Sequence, residues 1–305
     1  MTWPSIDPEL RRQRLDPPAT CSSVVLDTDT YNEVDDQFAL VHAMLSPDRI
    51  DLQAVYAAPF YNKRSTGPGD GMEKSYEEIQ RLLKRLGRVP PGGVHKGSVS
   101  YLPAPDTPVE SKAAADLVER AMNMDDEPLH VVAIGAVTNV ASALLMEPAI
   151  LEKIVGVWLG GHSLNWPSAR EFNLSQDLAA ARVLFDCGVP VVHVPCLGVA
   201  EHLRTTLAEL RECIGGANRL ADDLVEIFRG YRPDHFAWAK ELWDVAATAW
   251  LVNPAWLPGY ITPSPILTDQ LTWSHDPFRH PIRELQHCNR NSIFKDLFTK
   301  IRNAQ

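Results

Sequence analysis

The sequence predicts an α/β protein: one domain with a mostly parallel, Rossmann-like central sheet, helices on both faces and a helical C-terminal portion. Three observations carry this. Short apolar runs alternate with amphipathic stretches for most of the length. No Ser/Gly-rich linker, internal repeat or low-complexity tract divides the 305 residues. A hydrophobic content of 45% is enough to bury a substantial core. The whole chain, 1–305, is therefore read as one domain, with residues 1–20 as an N-terminal extension.

Each element follows from its local pattern. "SSVVLD" (22–27) reads as a buried strand, and "DDQFALVHAMLS" (35–46) as a helix with Phe38, Leu40, Val41, Met44 and Leu45 inward. "DLQAVYAA" is a second strand, and "MEKSYEEIQRLLKRLG" is an amphipathic helix stopped by Gly87. A helix at "SKAAADLVERAM" precedes the strand "PLHVVAIG", and "TNVASALLMEP" follows as a helix capped by Thr138. Then come the strand "KIVGVWLGG", a helix from its N-cap Asp177 to Gly188, and the strand "PVVHVPC". After residue 205 the pattern is helical, including 218–230 and 240–252, before a strand near 282–288 and a helix over 291–301.

Composition removes several functional classes. A net charge of −10 and a pI near 5.5 disfavour a nucleic-acid or anionic-membrane partner, either of which wants a basic surface. The five cysteines are scattered and form no C-x-x-C pair, so free thiols in a reducing compartment are expected. The N-terminus lacks the apolar segment of a secretory signal, and no apolar run is long enough to cross a bilayer. A cytoplasmic location is expected.

The chemistry concentrates in "VVLDTDTYNEVDDQFALVHAML" (24–45), where Asp27, Asp29, Glu33, Asp35 and Asp36 crowd the end of a strand. Like charges at 4 Å repel by about 1 kcal/mol in water and by more in a partly dry cleft. Either the segment is solvated, or a cation sits among the carboxylates. Hard oxygen donors without cysteine or a close histidine pair suit Ca²⁺ or Mg²⁺. Ligands in open α/β sheets bind beyond the carboxyl ends of the strands. "GAVTN" (135–139) and "GGHSLN" (160–165) also follow strands, so three polar loops are expected to meet at one edge.

Four segments together resemble the calcium-dependent nucleoside hydrolases, the inosine-uridine-preferring N-ribohydrolase family. They are the "DTD…DD" strand-loop-helix, "VVAIGAVTNVASAL", "LGGHSLNWPSAREFNLSQDLAAARVLF" and "LWDVAATAWLVNP", in the family's order, over roughly residues 22–300. The resemblance implies the nucleoside hydrolase fold and Ca²⁺ held by Asp29, Asp36, Asp244 and the carbonyl of Ile134. It implies Asp29 as the base that activates water, and Asp35, Asn62, Asn165, Glu171 and Asn173 as ribose contacts. The implied reaction is hydrolysis of a ribonucleoside to ribose and free base, and the implied assembly is a homodimer or homotetramer.

The chain departs from the family pattern in several places: the region after Asn62 differs, and no counterpart of the family's histidine-bearing flap is found near residues 95–105. Five residues, "TYNEV", separate Asp29 from Asp35, two more than in the compact family loop. Trp243 stands where pyrimidine-accepting members carry a histidine before the late aspartate. It resembles the purine-preferring branch, in which an aromatic face stacks on the base and replaces an acid. His162 and His235 are further candidates for contact with the leaving group, whereas "SHDP" at His275 mimics a family motif out of order. Two other readings compete. "VVLDTDT" fits the strand-D-x-D-x-T motif of haloacid dehalogenase-like phosphatases, with Asp27 as nucleophile. A ribose or nucleoside binder without turnover would also explain Trp243.

Overall fold

In the computed structural model, which describes residues 3–304, the apolar run after Cys21 forms β1 (Ser22–Thr28). Seven further strands join it: β2 (Ile50–Ala57), β3 (Val94–Lys96), β4 (Leu129–Ala133), β5 (Ile154–Leu159), β6 (Val191–Val194), β7 (Gly259–Pro263) and β8 (Pro281–Leu285). The order across the sheet is β3-β2-β1-β4-β5-β6-β8-β7. All pairs are parallel except β7 with β8. The expected fold class is the one observed.

Strand alternation explains how both faces are covered. Val24 and Leu26 face one apolar core with helices Asp35–Met44, Pro68–Leu86 and Val245–Val252. Val25, between them, faces the other core with helices Lys112–Met122, Thr138–Met146 and Leu178–Asp186. Burial on both faces is why the strands read as continuous apolar runs. Helix Pro68–Leu86 ends where expected, with Gly87 in the left-handed region at φ 65°.

Three sequence expectations are corrected. Residues 240 and 241 are not helical; they pair antiparallel with Arg204 and Thr205, and the helix begins at Val245 with Asp244 at its N-cap position. Thr138 is the first helical residue and not the cap: its hydroxyl donates to the Asp177 carboxylate, 2.7 Å away. The edge strand β7 was not foreseen, because "GYITPSP" reads as a proline-bounded connection.

The N-terminal extension is docked on the body. Helix Pro8–Leu15 buries Leu15, the Arg11 guanidinium donates to the Gly188 carbonyl, and Arg14 donates to that of Asp126. Beside it, His130 on β4 is buried, and burial aided by the Arg14 charge pushes its pKa down to about 4. The unfolded chain takes up this proton near pH 6.5 and the folded chain does not. Stability from this site is therefore full above about pH 6.5 and lost as pH falls towards 4, by up to roughly 3 kcal/mol. His130→Gln is expected to flatten that part of the acid slope, measured by urea unfolding at pH 7 and pH 4. An unchanged slope would remove His130 as its origin.

Candidate active site

β1 and β4 are neighbours at the point where the strand order reverses, which is where open α/β sheets bind ligands. The Ile134 N–H donates to the Asp27 carbonyl and that of Ala58 to the Thr28 carbonyl, both at 2.8 Å. These bonds fix the ends of β1, β2 and β4 side by side. Asp29 emerges just past β1. Gly135 makes room for it: a Cβ there would lie 3.1 Å from the Asp29 Cγ.

A cavity of about 270 Å³ opens at this place. Asp29, Asp35, Asp36, Ile134, Glu171, Asn173, Trp243 and Asp244 all line it. One carboxylate oxygen from each of Asp35, Asp36 and Asp244 lies within 4.8 Å of the others. The Asp36 Oδ1 accepts from the Thr28 hydroxyl at 2.6 Å. Its Oδ2 and both oxygens of Asp29 are buried with no hydrogen-bond partner. Asp244 makes no capping bond to its own helix. Val34, not an aspartate, occupies the N-cap of helix Asp35–Met44, so neither Asp35 nor Asp36 serves as the cap.

Burial drives the electrostatics. It pushes the Asp35 carboxyl up to about 6 against the opposing charge of Lys240, and Asp36 up to about 7 with help from Asp35. Asp29 and Asp244 are raised too, first by burial and then by neighbouring carboxylates. Unpaired buried carboxylates are strongly unfavourable. The orphaned oxygens of Asp29 and Asp36, with the three-carboxylate cluster, fit a hard divalent cation.

The polar wall opposite is held by backbone. Glu171 caps helix Phe172–Gln176 and accepts from the N–H groups of Gly161, Asn173 and Leu174. The Asn173 amide donates to the Ile134 and Leu159 carbonyls at 3.2 and 3.0 Å, which turns its oxygen away from them. A carbonyl oxygen has two acceptor positions, so that of Ile134 keeps one.

Two expected ribose contacts stand apart from the cavity wall. Asn62 lies one layer behind, where its amide donates to Asn32 Oδ1 at 2.6 Å and Asn32 itself lines the cavity. Asn165 is exposed on the loop after β5. His162 lines the cavity, and its Nδ1 accepts from the Leu197 N–H; burial lowers its pKa. His235 instead packs against Phe228 and Trp238.

Several lining residues were not read from the sequence: Leu159, Phe172, Cys196 and Leu197. The two extra residues of "TYNEV" place Asn32 and Glu33 here, and Glu33 forms an ion pair with the buried Lys240 at 2.6 Å. Asp27 is fully buried, does not line the cavity and accepts from the Asn139 amide at 2.7 Å. That removes it as an accessible phosphatase nucleophile.

The fold places an acidic cavity at the carboxyl ends of parallel strands, and comparison with known proteins says to which class such a site belongs here. The sequence profile of the inosine-uridine preferring nucleoside hydrolase family matches residues 65–289. The chain belongs to this family and is an N-ribohydrolase. The pyrimidine-specific ribonucleoside hydrolase RihA of Klebsiella pneumoniae (strain 342) is 29% identical over 248 residues, covering 72% of this chain and 76% of its own. RihA of Enterobacter sp. (strain 638) is 29% identical over 259 residues, with 76% and 79% covered. Among solved structures, a plant nucleoside hydrolase, PpNRh1, superposes with a TM-score of 0.72 at 19% identity, covering 94% of this chain and 100% of its own. The purine-preferring ribonucleoside hydrolase from Gardnerella vaginalis gives 0.70 at 22%, with 93% and 99% covered. No helix among the described residues is long and apolar enough to cross a membrane.

Proposed function

We propose that the cavity hydrolyses the N-glycosidic bond of a ribonucleoside with Ca²⁺ held by Asp29, Asp36, Asp244 and the Ile134 carbonyl, and with Asp35 beside them. The observation that carries this is the set of buried carboxylate oxygens on Asp29 and Asp36 that no protein group satisfies. Held there by these residues, the cation would neutralise the cluster, help fix the sugar and make a water more acidic.

Asp29 accepts the proton of the attacking water, since neither of its oxygens is engaged. The water oxygen bonds to the anomeric carbon as the C–N bond breaks, and the base leaves with the electron pair and takes up a proton. Positive charge grows on the ribose in between, and the surrounding carboxylates stabilise it. Asp35, Glu171 and Asn173 orient the sugar hydroxyls, with Asn62 acting through Asn32 and Asn165 available from the loop rim. The five free cysteines support a cytoplasmic enzyme. Association into a dimer or tetramer is checked by light scattering.

The test is reducing-sugar release from a panel of purine and pyrimidine nucleosides, with and without a calcium chelator. Chelator-sensitive release supports the reading, and tight nucleoside binding without any release would replace it with the binder alternative. The named relatives divide between pyrimidine and purine, so the panel also ranks the bases. Trp243→Ala is expected to raise KM about tenfold for the preferred base, and Trp243→Phe to raise it far less. If Trp243 only packs in the core, the alanine variant loses thermal stability while KM stays put.

A further inference from the structure

A second depression, of about 510 Å³, adjoins the nucleoside cavity, and the two share the residues Glu33 and Trp243. Tyr231, Arg232, Trp238 and Lys240 line it from one side of the chain, and Lys63 from the loop after β2. Its charges are unevenly matched. Lys240 is paired with Glu33 at 2.6 Å, and Glu241 with Arg204 at 2.7 Å. Lys63 and Arg232 have no carboxylate partner among the described residues. The Arg232 guanidinium lies 4.8 Å over the Trp238 ring, which stacks on Tyr231 at 6.0 Å and 17°. Its Nε is buried and donates to nothing.

In a chain of net charge −10, a depression whose unpaired charges are both positive is a local reversal of sign. A guanidinium braced on an indole and without a carboxylate partner is suited to a planar oxyanion. Ion pairs with Lys240 and Arg204 offset the two carboxylates of the lining, Glu33 and Glu241, that would repel such a group. We propose that this depression extends the nucleoside site and takes an anionic substituent of the leaving base, a carboxylate, with Arg232 and Lys63 as its counter-ions and the Tyr231–Trp238 stack beside it. The proposal rests on the hydrolase reading for the ribose end.

Pyridine-3-carboxylate and pyridine-3-carboxamide differ in charge and little in shape, and so do their ribosides. Binding of the two free bases to the calcium-loaded protein is followed by tryptophan fluorescence, and cleavage of the two ribosides by release of reducing sugar. The carboxylate is expected to bind about tenfold more tightly at low ionic strength, with the preference shrinking in about 0.5 M salt. The kcat/KM ratio of the ribosides should follow. Arg232→Gln and Lys63→Gln each lower the preference several-fold, and Arg232→Lys restores part of it. Equal affinities, no binding of the carboxylate, or a preference that neither glutamine variant moves would overturn the proposal. If neither riboside is cleaved while the carboxylate still binds more tightly through Arg232, the hydrolase reading fails and the anion site stands.

Discussion

Asp29→Asn is expected to lower kcat/KM about a thousandfold for any nucleoside the wild-type chain cleaves, with the fold intact. An amide at this position cannot take a proton from water, and loss of a positioned general base carries a factor of 10² to 10⁴, roughly 3 to 5 kcal/mol of barrier. The fold should survive because no donor group of the protein is bound to either Asp29 oxygen, whose near neighbour is the Asp36 carboxyl. It also removes one of the charges that push Asp36 and Asp244 against each other and against Asp29. The metal-free variant should therefore melt at or above the temperature of the metal-free wild type. Steady-state kinetics and a thermal melt on the same preparation separate the two effects. Wild-type rates in the variant would end the role given to Asp29, whereas an inactive variant that melts early would show only a structural one.

How much of this site was legible follows from where its residues sit. Asp29, Asp35 and Asp36 stand out because carboxylates at a strand end and at a helix start have no apolar reading, and Asp244 stands out among Trp243, Val245 and Ala246. The parallel sheet was legible for the same kind of reason, since doubly covered strands are apolar throughout. Lys240 was hidden, and with it the ion pair that Glu33 makes. Lysine in "AWAKELW" reads as an exposed helical charge, and only the short pairing with Arg204 and Thr205 turns it inward to Glu33. Cys196 and Leu197 follow β6 and carry no residue type that marks a site. Phe172 lies between Glu171 and Asn173, but an aromatic beside two polar residues reads first as core. The edge strand β7 gains its partner from β8 twenty residues later, and no local periodicity announces that.

The matched span of the family profile begins at residue 65, beyond the aspartate loop. The loop is also where this chain is two residues longer, and the additional length delivers Asn32 and Glu33 to the cavity wall. Those two positions link the site outward: Asn32 accepts from Asn62, and Glu33 from Tyr231 at 3.2 Å while pairing with Lys240. On the proposed reading the ribose end is built from β1, β4 and the loop after β5, and the base end from the aspartate loop and the segment around Lys240. Specificity and catalysis would then fall to different parts of the chain, so variants at Glu33 or Arg232 should change which base is cleaved more than whether cleavage occurs.

Removal of the cation should destabilise the folded chain as well as silence it. A ligand present at about a hundredfold over its Kd adds roughly 2.7 kcal/mol, which corresponds to a melting shift of about 5 °C for a domain of this size. The shift should depend on pH in a definite direction. A carboxyl held above its ordinary value in the folded state contributes stability that is full below about pH 4 and is lost as pH rises through the folded value. Asp35 at about 6 and Asp36 at about 7 place that loss between about pH 4 and pH 7 in the metal-free chain. With the cation bound the same carboxylates are compensated, and the loss disappears. The gap in melting temperature between calcium-loaded and chelated protein should therefore widen from pH 5 to about pH 7 and level off above. The opposing effect of His130, which weakens the fold on acidification, acts on both forms and cancels in the difference. A gap that stays constant with pH would detach the cation from these carboxylates. No gap at any pH would leave the aspartates of this cavity without the partner that their burial demands.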